Sequence, residues 1–129
     1  MALLFVKVDS VASLRAVRKH KLPDPSHAAV FAELAGADGI VCHIREDRLH
    51  IRDRDFYVLK EVVKSRLNLQ IAPADDLVEC ALEVKPWMVT LMPFTQDEKV
   101  ISKGIDTKED GGLCSDTTSR LKEAEIEVA

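Results

Sequence analysis

Gly39-Ile40-Val41-Cys42-His43-Ile44-Arg45-Glu46-Asp47-Arg48-Leu49-His50-Ile51 decides the fold. It starts as a continuous apolar run, the pattern of a strand covered on both faces. It then breaks into charged and polar residues interrupted only by Ile44 and Leu49. A buried strand with this ending delivers charge to one rim of a sheet. In parallel α/β folds, chemistry sits at that carboxyl-end rim.

Working outward, the same alternation recurs. Leu3 to Val8 reads as a first strand, buried on both sides up to Lys7, with Asp9 and Ser10 at its end. Ser10 to Lys19 has helical spacing at Val11, Leu14 and Val17, with Arg15 and Arg18 on a shared face. Leu22-Pro23-Asp24-Pro25 breaks it. Ser26 to Leu34 is a second helix, with Gly36 as its stop. Beyond the charged stretch, Asp53 and Asp55 suit a helix start, and Phe56, Leu59, Val62 and Val63 mark a buried stripe ending near Arg66. Leu67 to Ile71 is a strand, Asp75 to Val84 a helix, and Trp87 to Met92 a strand. Pro93 to Gly112 reads as a long loop, Thr117 to Ala124 as a helix, and Ile126 to Val128 as the start of a fifth strand.

Four strand–helix units with short returns predict a parallel sheet with right-handed crossovers. Residues 1–129 form one βα-repeat domain, with no linker or low-complexity stretch. Two architectures fit: a small open doubly wound sheet, or four βα units of a (β/α)₈ TIM-type barrel. A full barrel takes about 250 residues, roughly twice this chain.

Composition narrows the function classes. The chain is 47% hydrophobic and 31% charged, with net charge -4. Such a balance gives no electrostatic case for nucleic acid. No apolar run approaches the ~18 residues of a membrane span, and Lys7 and Asp9 interrupt the N-terminal one, so the cytoplasm is the expected location. Cys42, Cys80 and Cys114 are widely spaced and odd in number, which suggests reduced thiols. No pair has CxxC spacing, so no zinc site is expected.

Several of these segments together resemble the pyridoxine 5'-phosphate synthase family. They are Val6-Lys7-Val8-Asp9-Ser10-Val11-Ala12-Ser13-Leu14-Arg15-Ala16-Val17-Arg18, the Pro23-Asp24-Pro25 turn and the whole of Ala32 to Ile51. Asp53-Arg54-Asp55, Asn68-Leu69 and Val84-Lys85-Pro86 belong to the same set. The resemblance runs the length of the chain and implies the first half of that family's (β/α)₈ barrel. It implies condensation of 1-deoxy-D-xylulose 5-phosphate with 3-amino-2-oxopropyl phosphate, without metal or organic cofactor. His43 then falls on a catalytic acid/base histidine, and Arg18, Arg45 and His50 on substrate and phosphate ligands. Proton shuttling near neutral pH suits histidine, and a planar guanidinium grips phosphate in two places.

The chain also departs from the pattern. Lys7 stands where the family has asparagine, and Ser10 where it has histidine, although Asp9 is kept. Gln70 stands at the position of the catalytic glutamate. Pro93-Phe94-Thr95-Gln96 replaces a charged segment, Val100 a threonine, and Ile101-Ser102-Lys103-Gly104 a glycine-rich stretch. Lys7, Asp9, Ser10 and Val100 are therefore substrate-binding positions by correspondence. A second catalytic histidine and the phosphate loops lie in the family's other half.

Each residue also has a plainer reading. His43 could be a core histidine at a strand end. Lys7 could be a reactive amine or phosphate contact, or, on the favoured reading, a mouth-facing lysine paired with Asp9. Glu46, Asp47 and Arg48 read as a solvated loop with ordinary ion pairs, and Arg45 as a rim side chain carrying little packing. The open edges of a half-barrel predict a homodimer or larger assembly. Its uncovered inner face would expose Val6, Val8, Val41, Leu69 and Ile71, or their alternates.

Overall fold

The computed structural model describes residues 1–95 and 101–129. Five parallel strands lie side by side in chain order: β1 (Phe5–Lys7), β2 (Gly39–His43), β3 (Arg66–Ile71), β4 (Met88–Leu91) and β5 (Glu127–Val128). Helices α1 (Asp9–Arg18) and α2 (Pro25–Leu34) join β1 to β2. α3 (Asp53–Val62), α4 (Asp75–Val84) and α5 (Gly111–Glu123) make the later crossovers. Sequential order with a helical crossover at every step is the path of a barrel wall, not of a doubly wound sheet, whose order reverses.

β3 shows why the sheet has two unlike faces. Leu67, Leu69 and Ile71 are buried, whereas Arg66, Asn68 and Gln70 between them are half-buried. Successive strand side chains point to opposite faces, so the apolar set lies in the core with Phe56 and Leu59 of α3 and Leu77, Val78 and Ala81 of α4. Ile40 and Cys42 of β2 join this core. The alternate set, with His43 opposite Gln70 and Gln70 opposite Thr90, forms the inner face. On β3 the alternates, not Leu69 and Ile71, are thus the partly open residues, and they are polar, whereas Val41 and His43 of β2 are buried.

Local chemistry fixes the helix starts. Asp24 caps α2 by accepting from the Ser26 amide at 2.9 Å, with Pro25 at the first helical position, where a missing N–H costs nothing. Asp55 closes the first turn of α3 by accepting from the Arg52 amide at 2.9 Å. Gly39 sits where strands crowd. A Cβ there would lie 2.7 Å from the Arg66 carbonyl oxygen and against the Phe5 ring.

Three boundaries differ from the sequence reading. β1 is shorter than Leu3 to Val8, and its residues are not fully buried. α3 stops at Val62, because Glu33 of α2 captures the Lys64 and Ser65 amides at 2.9 and 2.7 Å and turns the chain into β3. α5 starts at Gly111, well before Thr117. Among the described residues, no helix is long and apolar enough to cross a membrane.

Candidate active site

Asp9 builds the site. Its Oδ1 accepts from the backbone N–H of His43 at 2.8 Å, and it is itself buried. That bond pins the end of β1 to the end of β2. Lys7 Nζ lies 3.2 Å from the other Asp9 oxygen and donates to Gln70 Oε1 at 2.7 Å. Lys7 is therefore paired, as the plainer reading had it, and its side chain stays 45% exposed. Its ammonium also faces a cavity of roughly 520 Å³.

Asp9, Ser10, His43, Arg45 and His50 line this cavity with Lys7. Ser13, Met92 and Ile101 complete the wall. The histidine rings approach edge-on, with centroids 6.1 Å apart. Burial pushes His43 down to about 4; Asp9 opposes that shift, while Lys7, His50 and Arg45 reinforce it. Burial likewise lowers His50, so both imidazoles are uncharged at neutral pH. His50 Nδ1 accepts from the Ile51 amide at 2.7 Å, in the assigned ring orientation.

Arg45 is not the loosely held rim side chain expected. It is 3% exposed and grips Asp47 with Nε at 3.1 Å and Nη2 at 2.9 Å. That grip is the main reason the Asp47 carboxyl sits below its usual range. The loop around it is equally built. Arg48 bridges Asp53 and Asp76 at 2.9 and 2.8 Å. Glu46 accepts from the Thr95 hydroxyl at 2.6 Å and the Thr95 amide at 3.2 Å, latching the segment after β4 to the segment after β2.

Asp9, His43 and His50 place possible ligand atoms within 4.8 Å of one another. Both Asp9 oxygens face hydrogen-bond or ion-pair partners, and His50 Nδ1 holds an amide. Lys7 and Arg45 add positive charge beside them. Two cations, one engaged carboxylate and two neutral imidazoles suit an anion better than a metal ion.

The structure thus gathers Lys7, Asp9, Ser10, His43, Arg45 and His50, with Gln70 bound to Lys7 at the edge. Arg18 lies apart, exposed at the end of α1 in a groove with Leu14 and Phe31. Val100 falls outside the described residues. Sequence reasoning passed over Ser13, though it lies one helical turn beyond Ser10 and so shares its face. It placed Arg15 on a face with Arg18, but Arg18 is exposed and Arg15 is not. Arg15 is buried in a two-pronged pair with Asp55 at 2.7 and 2.6 Å, and its Nη2 donates to the His50 carbonyl at 3.2 Å. The pairing spans 40 residues of sequence, and no local pattern reveals it.

The chain is 46% identical over 129 residues to the pyridoxine 5'-phosphate synthase of Syntrophobacter fumaroxidans, covering all of this chain and 54% of that protein. It is 45% identical over 127 residues to that of Pseudoalteromonas translucida, covering 98% and 52% respectively. With the enzyme of Trichormus variabilis it shares 43% over 129 residues, again all of this chain and 54% of the relative. The chain spans about half the length of these relatives, so its five-stranded sheet corresponds to one half of a TIM-type barrel. The family model for the pyridoxal phosphate biosynthesis protein PdxJ matches residues 4–129, and the chain belongs to that family.

Proposed function

We propose that this chain forms the phosphorylated-substrate half of a pyridoxine 5'-phosphate synthase site, and that alone it binds substrate but turns it over slowly. The observation that carries the reading is the single cavity uniting Lys7, Asp9, Ser10, His43, Arg45 and His50. Lys7 and Arg45 supply charge for a phosphate. His43, held through its backbone by Asp9, takes a proton from the amine as it adds to the carbonyl and gives it to the carbinolamine hydroxyl, which leaves as water to form the imine. A bound phosphate beside it offsets the burial that keeps it neutral, raising its affinity for that proton.

Gln70 limits the chemistry. An amide cannot exchange a proton as a carboxylate does, and loss of a general acid/base group typically costs 10²–10⁴-fold. Gln70→Glu does not restore turnover on this reading. Lys7 Nζ, 2.7 Å from Oε1, would hold the new carboxylate ionised and paired. The reading includes self-association, since β1 and β5 are edge strands with unpaired backbone groups.

The test is product formation from 1-deoxy-D-xylulose 5-phosphate and 3-amino-2-oxopropyl phosphate with the purified chain, beside calorimetric binding of each. Binding of a phosphorylated substrate with turnover at least 10²-fold below a full-length relative is expected. Turnover within tenfold of the relative, or no binding, overturns the reading. A monodisperse monomer at micromolar concentration by light scattering refutes the self-association.

A further inference from the structure

A second cavity, of roughly 350 Å³, lies between the end of α1, the α1–α2 turn and the first turns of α2 and α3. It shares no lining residue with the first, and its volume falls in the ~300–1,000 Å³ range of small-molecule sites. Five of its six lining residues are Arg15, His20, Lys21, Arg52 and Arg54; the sixth is Asp24. In a chain of net charge -4, this is a local concentration of positive charge.

The carboxylates nearby are spoken for. Asp24 accepts from the Ser26 amide and hydroxyl at 2.9 and 2.6 Å and pairs with Arg54 at 3.4 Å. Asp55 takes Arg15 in two places and also lies 3.5 Å from Arg54. Lys21 and Arg52 have no ion-pair partner among the described residues. His20 Nδ1 accepts from the Leu22 amide at 3.2 Å, which leaves Nε2–H as a donor. Arg15 Nε is buried and has no hydrogen-bond partner among the described residues. An orphaned buried donor costs free energy that an acceptor in the cavity would recover. Four cations against two engaged carboxylates call for a small dianion, and guanidinium and ammonium groups together suit phosphate.

We propose that this cavity is a second anion site, taking the dianionic phosphate of a free phosphate ion or a small phosphomonoester. Lys21, Arg52 and His20 are its exposed contacts. Arg15 links it to the first cavity, because Arg15 Nη2 also donates to the carbonyl of His50 at 3.2 Å. An oxyanion drawing on the Arg15 guanidinium acts on the loop that carries the His50 ring.

Calorimetric titration with inorganic phosphate and with glycerol 3-phosphate tests this, against chloride at matched ionic strength. The proteins are the parent chain, Lys7→Ala, and the double variant Lys21→Ala/Arg52→Ala made in both backgrounds. Lys21 and Arg52 are exposed, so their removal leaves the core untouched. Binding that survives Lys7→Ala and weakens at least tenfold in the double variant is expected. In Lys7→Ala, phosphate should also move the His50 ring resonances, and adding Lys21→Ala/Arg52→Ala to that background should abolish the movement. Tighter binding of one ligand than the other identifies the natural source of the phosphate; either order supports the site. Equal affinity in Lys7→Ala with and without Lys21→Ala/Arg52→Ala overturns the proposal, as does an effect that chloride reproduces.

Discussion

Asp55→Ala removes the carboxylate that holds Arg15. The Arg15 and Asp55 side chains are 5% and 1% exposed and meet through two hydrogen bonds of 2.6 and 2.7 Å. Hydrogen bonding to Asp55 is the leading cause that raises the affinity of Arg15 for its proton, so the charge persists. Without Asp55, that charge stays buried with, among the described residues, only the His50 carbonyl as its bonded partner, and with Arg54 and Asp24 nearby. Breaking a buried pair from one side costs ~3–5 kcal/mol, whereas replacing both partners by apolar groups of similar volume is often neutral. Asp55 also caps α3, which adds about 1 kcal/mol. Against a total stability of ~5–15 kcal/mol, the single variant loses a large share.

A double-mutant cycle in urea, followed by far-UV circular dichroism, isolates the pair. Asp55→Ala and Arg15→Met should each shift the midpoint strongly. The double variant should lose less than the two singles together, by ~3 kcal/mol. Additive losses would mean that the two groups do not depend on one another. A loss below about 1 kcal/mol for Asp55→Ala would mean that water reaches the site and the pair behaves as a surface one.

Three further outcomes follow from the geometry. His43, held near 4 by burial, is protonated in the unfolded chain before the folded one. Its contribution is present in full above pH 6.5 and is lost as pH falls from there to about 4, by ~3 kcal/mol; urea titration at both pH values against His43→Gln should show a flatter dependence in the variant. Gly39→Ala should cost ~1–3 kcal/mol by overpacking, and adding Phe5→Ala should recover only part of it, since the Arg66 carbonyl, 2.7 Å from the new carbon, cannot swing aside as a ring can. Arg45→Ala should weaken a phosphorylated ligand by ~1.5–3 kcal/mol and lower stability by ~1–3 kcal/mol; an unchanged Tm would show that its burial carries no structural weight.

The sequence made legible what local pattern controls. β2 and α4 fall on the expected residues, because an unbroken apolar run and a clean helical stripe each admit one reading. The strand-end positions Lys7, Asp9, His43 and Gln70 meet because parallel strands in sequential order put their carboxyl ends together. What stayed hidden depends on partners distant in sequence. Glu33, on another helix, sets the end of α3. Arg45 looked like a rim residue because nothing local shows that its loop folds back over it. The start of α5 was obscured by Gly111 and Gly112, which weigh against a helix locally and were overridden in the fold.

The alternation along β3 has a consequence for how such a protein changes over time. Leu67, Leu69 and Ile71 answer to the core, while Asn68 and Gln70 answer only to the mouth. Neighbouring codons are therefore under separate constraints. Gln70 and Lys7 meet at 2.7 Å on the face away from Leu69 and Ile71, so the pair can change without touching those core side chains. Chemistry can erode, or be rewritten, one inner position at a time on a scaffold that does not register the change.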